Sequence, residues 1–298
     1  MSSIFRPIAR VLQAQYRRSV SKMSTFNTLN VTVPKPFVYH VELNRPEQLN
    51  AQTVEMWLEL KNCFNELNLD SNCRVILLSG SGRMFTAGLD FKGAMELSVE
   101  VGEEEDVARK AKLLRAAIDK GQEAFTSLEI CSKPVLAAVH SACIGAGVSL
   151  LTAADVRYCT KDAWFQVKEV LLGMTCDVGA VQRLPKVVGA EGTVREICYT
   201  GRKVYADEAQ RIGLVSKVFD DKDSMMSSVM EVAETIAKNS PVAVQGLKSS
   251  LVFSRDHSVQ DGLMHIAVHN QGMLQSEDFI NGVTALAMKQ TDIKFSKL

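Results

Sequence analysis

Short runs of consecutive apolar, β-branched residues alternate along this chain with longer stretches in which apolar positions recur at helical spacing. Phe37–Leu43, Arg74–Ser79 and Pro134–His140 predict strands. The latter two are nearly continuous in hydrophobicity, as strands covered on both faces of a parallel sheet are. Between them, Ala51–Leu67 and Val107–Ile130 predict helices. Val156–Cys159 and Ala163–Val167 predict two further short strands, and Gly179–Val188 and Ala190–Thr200 two short helices parted by Gly189. From Ala206 the pattern is almost purely helical, with a stop at Asn239-Ser240 and a restart at Pro241, where proline fits the first helical turn. The fold class is therefore α/β. Residues 1–30 read as a leader, 31–200 as the α/β core and 201–298 as a helical C-terminal region.

Composition narrows the function classes. Lys plus Arg and Asp plus Glu both total 34, so no global basic field draws nucleic acid or an anionic membrane, and any phosphate binding is local. No stretch reaches the ~20 apolar residues of a bilayer span. The seven cysteines are scattered without a CxxC pair, which points to a reducing compartment and away from disulfides or zinc. The five histidines have no metal-ligand spacing and read as structural. The acidic run Glu103-Glu104-Glu105-Asp106 reads as a solvated loop ahead of a long helix.

Both termini carry address-like features. Arg6, Arg10, Arg17, Arg18 and Lys22 lie in a serine-containing segment with no acid before Glu42, and Ile4, Ile8, Val11 and Leu12 share a face opposite Arg6, Arg10 and Arg17, as in a mitochondrial transit peptide. The chain ends in Ser296-Lys297-Leu298, the tripeptide read by the peroxisomal import receptor. Initiation at Met23, or cleavage near it, would leave the second address to act alone.

Three segments have the makings of a site. Met84-Phe85-Thr86-Ala87-Gly88-Leu89-Asp90 and Ser141-Ala142-Cys143-Ile144-Gly145-Ala146-Gly147-Val148 each follow a predicted strand and bring glycine to a turn, where bare backbone N–H groups can face a ligand. Gly145-Ala146-Gly147 lacks the third glycine of a dinucleotide fingerprint. In the third segment Glu169 and Asp177 stand eight residues apart among mostly apolar or small neighbours. Burial without a cationic partner raises a carboxyl pKa and makes a proton carrier near neutral pH. The residues alone leave a second reading open, with Glu169 in a salt bridge and Asp177 capping the helix that begins near Val178.

Several ordered motifs from about Pro34 to Leu251 resemble the crotonase (enoyl-CoA hydratase/isomerase) superfamily. They are Asn44-Arg45-Pro46 with Asn50-Ala51, Phe85-x-Ala87-Gly88-x-Asp90, Lys133-Pro134-Val135 leading to Gly145-Ala146-Gly147, and Ala206-Asp207-Glu208-Ala209 with Gly213-Leu214-Val215. The resemblance implies a spiral of β-β-α units with a helical C-terminal region for lid and oligomer contacts, assembled as a homotrimer or homohexamer. It implies an acyl-CoA substrate with no separate cofactor and no metal. The thioester oxyanion hole would consist of the Leu89 and Ala146 backbone N–H groups. Ala87, Gly88, Leu89, Asp90, Phe91, Lys92 and Gly147 would line the substrate passage, with Lys92 or Lys248 contacting phosphate.

Hydratases of this family use two glutamates, whose positions here hold Ser149 and Glu169, so water addition is not expected. The dienoyl-CoA isomerase branch is similar in Phe165-Gln166-Val167-Lys168-Glu169-Val170, Asp177-Val178-Gly179, Gln182-Arg183-Leu184-Pro185-Lys186 and Ser254-Arg255-Asp256-His257-Ser258-Val259. It implies conversion of 3,5-dienoyl-CoA to 2,4-dienoyl-CoA in fatty acid β-oxidation, with Glu169 acting at C2 and Asp177 at C6, or the two exchanged. This branch usually carries Asp where Ser149 stands, a departure that bears on the acidity of Glu169. The alternatives are a Δ3,Δ2-enoyl-CoA isomerase working through Glu169 alone and an inactive crotonase-like binding protein. The expected location is the peroxisome, the mitochondrion or both.

Overall fold

Leu29–Lys35 (β1) pairs antiparallel with Val38–Leu43 (β2), and β2 opens a parallel ladder through Val75–Gly80 (β3) and Val135–Val139 (β4). Ala142–Ile144 (β5) then leaves this sheet, Val156–Thr160 (β6) rejoins it, and Trp164–Gln166 (β7) and Lys203–Tyr205 (β8) join β5 in a second sheet. Lys217–Phe219 (β9) closes the first. The resulting orders are β1-β2-β3-β4-β6-β9 and β5-β7-β8. These are the relationships in a computed structural model that describes residues 24–290 and 293–298.

Among the described residues the helices are α1 (Val54–Leu69), α2 (Phe91–Glu103), α3 (Val107–Ile130), α4 (Ala146–Thr152), α5 (Ala180–Val188), α6 (Glu191–Thr200), α7 (Ala206–Arg211), α8 (Lys222–Lys238), α9 (Pro241–Arg255), α10 (Val259–Met273) and α11 (Glu277–Ala287). Chain order repeats strand, strand, helix at β4-β5-α4 and again at β6-β7-α5, with a short 3-10 turn at Glu169–Leu172 interposed.

Burial explains the continuous apolar runs. Successive strand side chains point to opposite faces. Val75 and Leu77 of β3 therefore pack with Leu136 of β4 against Met225, Val229 and Ala233 of α8. Ile76 and Leu78 join Val135 and Ala137 in the larger core that holds Leu60 and Phe64 of α1 and Phe125 and Leu128 of α3. Because both faces are covered, every residue of β3 and β4 is buried. The helix starts are capped as their sequences require. Thr53 accepts from Met56 N–H at 3.2 Å, Asp106 from Arg109 N–H at 2.9 Å, and Ser240 from Ala243 N–H at 3.2 Å just before Pro241.

Three expectations are corrected and one is refined. The acidic run is not all loop, because Phe91–Glu103 is helical and only Glu104–Asp106 separate it from α3. The stretch after Ala206 is almost purely helical, as expected, but it also contains one unexpected short strand, β9, which pairs with β6 through Lys217↔Tyr158. The strands β1, β5 and β8 were not predicted, the last two being three residues each, too short to show a period. Lys248 is not available to a phosphate. It is buried, donates to the Leu128 and Lys133 carbonyls at 3.0 and 2.9 Å, and pairs with Asp155 at 2.7 Å.

The transit-like segment before Met23 lies outside the described residues. The C-terminal residues fold back on the chain, with Arg74 donating to the Phe295 and Ser296 carbonyls at 2.6 and 3.1 Å. The seven cysteines are free thiols. His257 and His265 stack on Phe253, and no metal-holding group of side chains occurs among the described residues. No described helix is long and apolar enough to cross a membrane.

Candidate active site

The loop after β3 and the turn after β5 are locked together through backbone. Thr86 N–H donates to Ala142 O at 3.1 Å and Ile144 N–H to Thr86 O at 3.3 Å. From the other side Ala87 N–H donates to Leu49 O, and Gln52 and Leu89 form a bridge. Asn50, at φ 51°, donates to the Ser81 and Met84 carbonyls at 2.8 and 3.0 Å while accepting from Arg45 N–H, which fixes the loop's path.

Two glycines make the approach possible. Gly88 has φ +87°, and a Cβ there would lie 2.5 Å from the Ile144 carbonyl oxygen and 3.7 Å from Ala146 N. Any side chain would push the two loops apart. A Cβ on Gly147 would come within 2.4 Å of the Thr86 methyl. The segments carrying Leu89 and Ala146 are thus held against each other, and neither the Leu89 nor the Ala146 backbone N–H has an acceptor among the described residues. Ala146 opens α4, where an N–H has no partner within its own helix.

These two segments form one wall of an apolar cleft of about 570 Å³ including its open mouth. Ala87, Leu89, Phe91, Gly145 and Ala146 line that wall, and Glu169 and Asp177 line the same cleft. Gly88, Asp90, Lys92 and Gly147 do not line it. Asp90 instead caps α2, accepting from Lys92 N–H at 3.0 Å, and pairs with Arg45 at 3.0 Å, which holds its carboxyl below the ordinary range despite partial desolvation. Lys92 is exposed near the rim beside Phe91.

Glu169 begins the 3-10 turn after β7, and Met174 N–H closes the loop onto its carbonyl at 3.0 Å. Its carboxylate faces Gly145, with Oε1 3.6 Å from where a Cβ would be. Its Oε2 is buried and has no hydrogen-bond partner among the described residues. Burial raises its pKa, the charge of Asp177 adds to the rise, and the Cys176 thiol offsets it in part. Burial also raises the pKa of Asp177, and Gln122 donates to the Asp177 carbonyl at 2.6 Å. Neither carboxylate has a salt-bridge partner among the described residues. Asp177 does not cap α5, whose N-cap is Gly179. Both carboxylates therefore lie where proton carriage is favoured, and the salt-bridge and capping reading is not what the structure has.

Ser149 is fully buried and absent from the cleft lining. Its Oγ accepts from Ala180 N–H at 3.1 Å, joining α4 to the first residue of α5. It thus anchors the segment that follows Asp177. The sequence reading missed Trp57, Ile144, Lys168, Leu172, Met174 and Val178, which also line the cleft. Trp57 looks like a core residue on an amphipathic helix, and in part it is one, stacked edge-on against Phe125 at 6.1 Å with its indole N–H on Gln52 at 3.1 Å. Of the exposed apolar run Val170-Leu171-Leu172, Leu172 lines the cleft, while Val170 and Leu171 lie against Gly201.

Comparison with known proteins agrees with this architecture. The family model "Enoyl-CoA hydratase/isomerase" matches residues 35–294. The mouse protein named Delta(3,5)-Delta(2,4)-dienoyl-CoA isomerase, mitochondrial, is 47% identical over 98% of this chain and 90% of its own length. An Arabidopsis thaliana protein named as the peroxisomal form of that isomerase is 41% identical over 88% of this chain and 93% of its own. Among solved structures, an enoyl-CoA hydratase from Bacillus anthracis superposes with a TM-score of 0.81 at 28% identity, covering 90% of this chain and 99% of that one. With its motifs, its two sheets and its cleft all in agreement, the chain belongs to the enoyl-CoA hydratase/isomerase family.

Proposed function

We propose that this protein converts 3,5-dienoyl-CoA to 2,4-dienoyl-CoA, with Glu169 and Asp177 as the proton-carrying pair. The observation that carries the reading is the presence of two unpaired carboxylates, both with raised pKa, in one apolar cleft. Moving a conjugated diene by one carbon removes a proton at C2 and adds one at C6. These positions are too far apart for one carboxylate, and a second acid in the same cleft meets that need.

In this reading the thioester oxygen sits between the Leu89 and Ala146 N–H groups. As Glu169 takes the C2 proton, negative charge develops on that oxygen, and preorganised donors stabilise it at no reorganisation cost, each lowering the barrier by about 3–4 kcal/mol. Asp177, whose pKa burial raises, donates at C6 in its protonated form. The assignment of the two acids to the two carbons follows the position of Glu169 against Gly145, next to the oxyanion donors. Trp57, Phe91, Leu172, Met174 and Val178 make the cleft largely apolar, which disfavours addition of water to the unsaturated thioester and favours isomerisation over hydration.

Coenzyme A arrives as part of the substrate, and Lys92, exposed beside the cleft residue Phe91, would meet its phosphates. The exposed apolar side chains of α10 and α11, among them Leu263, Val268, Ile280 and Leu286, suit a homotrimer or homohexamer contact. Mitochondrial and peroxisomal relatives and the two terminal segments suit residence in either organelle or both. The test is to offer the purified protein 3,5-dienoyl-CoA, 3-enoyl-CoA and 2-enoyl-CoA side by side. The reading expects the conjugated 2,4-dienoyl thioester from the first as the dominant activity. Hydration of the third at a comparable rate would contradict it.

A further inference from the structure

Asp177 borders two cavities. One is the apolar cleft it shares with Glu169. The other lies behind it, about 730 Å³ including its mouth, and its walls are polar: Gln122, Thr126, Glu129, Gln182, Arg183 and Arg255. Glu169 lines the first cavity and not the second.

The rear cavity is held open by a buried ion cluster. Arg183 donates twice to Glu129, at 3.0 and 2.8 Å, and once to Thr126 at 3.0 Å, while Arg255 pairs with the other oxygen of Glu129. Gly179, at φ +125°, lets Arg183 fold back over the start of α5, because a Cβ there would collide with the guanidinium at 2.0 Å. At the mouth Gln122, Gln182, Lys186 and Asp256 are exposed, so the cavity opens to water in this chain. Inside, Arg255 Nε is buried with no protein acceptor among the described residues. A polar cavity of this size with an unpartnered donor is suited to ordered water.

Each turnover of the proposed reaction leaves the acids in the wrong states for the next. The C2–H bond breaks and its proton ends on Glu169, its electron pair entering the dienolate. A C6–H bond forms with the proton of Asp177. Glu169 is then neutral and Asp177 anionic, and both must reset. We infer that Asp177 recovers its proton from water through the rear polar cavity, while Glu169 gives its proton to water entering the apolar cleft as product leaves. The two acids thus reset through different openings, and the C6 hydrogen of the product comes from solvent. This inference rests on the proposed isomerase reading.

The test uses the full chain and a 3,5-dienoyl-CoA carrying deuterium at both C2 positions, in ordinary water. Solvent hydrogen at C6 of the product is expected, with one of the two C2 deuterons lost to water and the other kept at C2; deuterium arriving at C6 would overturn the inference, because it means direct return from Glu169. A second arm narrows the route without touching the cleft. Gln182→Phe, at an exposed position in the rear mouth, should lower steady-state kcat at least fivefold. The rate of a single turnover and kcat/KM should stay unchanged, KM falling together with kcat, since a single turnover needs no reset. A merely structural effect would lower both rates together, and that result, or no change in kcat, would overturn the rear route. Absence of diene turnover by the unsubstituted protein would instead remove the isomerase reading, and this inference with it.

Discussion

The Glu169 carboxylate lies directly over Gly145, with Oε1 3.6 Å from the point a Cβ would occupy, so the proposed base and the turn that presents the Ala146 N–H form one unit. The other half of that unit is Gly88, pressed onto the Ile144 carbonyl. The site is therefore sensitive to backbone spacing as well as to its acids.

Gly88→Ala forces backbone from backbone and should separate the Leu89 and Ala146 N–H groups. A kcat loss of about 100-fold or more is expected, the size seen when one oxyanion donor is removed. Circular dichroism should still report a folded chain. Unchanged kcat in a folded Gly88→Ala protein would remove these two groups from the reaction.

The acids should tax stability in a pH-dependent way. A carboxyl whose pKa is raised in the folded state binds more protons folded than unfolded between its ordinary and its raised value. Stability thus falls as pH rises through that window, and the penalty stays fully present above it. Burial raises both Glu169 and Asp177. Glu169→Gln and Asp177→Asn should therefore each melt higher than the parent at pH 8, with the difference shrinking toward pH 4. Thermal melts across pH check this, and a difference that grew on acidification would contradict the burial argument.

Ser149→Ala removes the acceptor for the buried Ala180 N–H. A loss of about 1–2 kcal/mol is expected, as for a helix cap, measured by denaturant unfolding, with KM nearly unchanged because Ser149 does not line the cleft.

Lys248→Met leaves two carbonyls and Asp155 without their buried ammonium partner. A stability loss on the order of 3 kcal/mol is expected, at the low end for a broken buried pair because Asp155 is partly exposed. Coenzyme A affinity should not change. Lys92→Ala should do the reverse, raising KM a few-fold at constant stability. Calorimetric titration with coenzyme A separates the two.

These residues also show what the sequence could convey. The central strands were legible because β3 and β4 are covered on both faces, and such strands are apolar at every position. The site glycines and both acids were legible because each stands out from its neighbours. Helix α2 was hidden, since its apolar Phe91, Met95 and Val99 are 51%, 70% and 65% exposed and its glycines and terminal acid read as loop. Lys248 misled because a lysine ordinarily stays in water, and nothing local reveals that Leu128, Lys133 and Asp155 converge on it from distant parts of the chain. Ser149 likewise took its partner, Ala180, from thirty-one residues away.

The most direct test of the central claim is the rate at which purified protein forms the conjugated 2,4-dienoyl thioester from 3,5-dienoyl-CoA, compared with its Glu169→Gln and Asp177→Asn variants. The two-acid account predicts that either substitution lowers kcat by at least 100-fold, as loss of a positioned acid or base does, while both proteins stay folded. Diene turnover that survives Asp177→Asn, or is absent in the parent beside conversion of 3-enoyl-CoA through Glu169 alone, would contradict it.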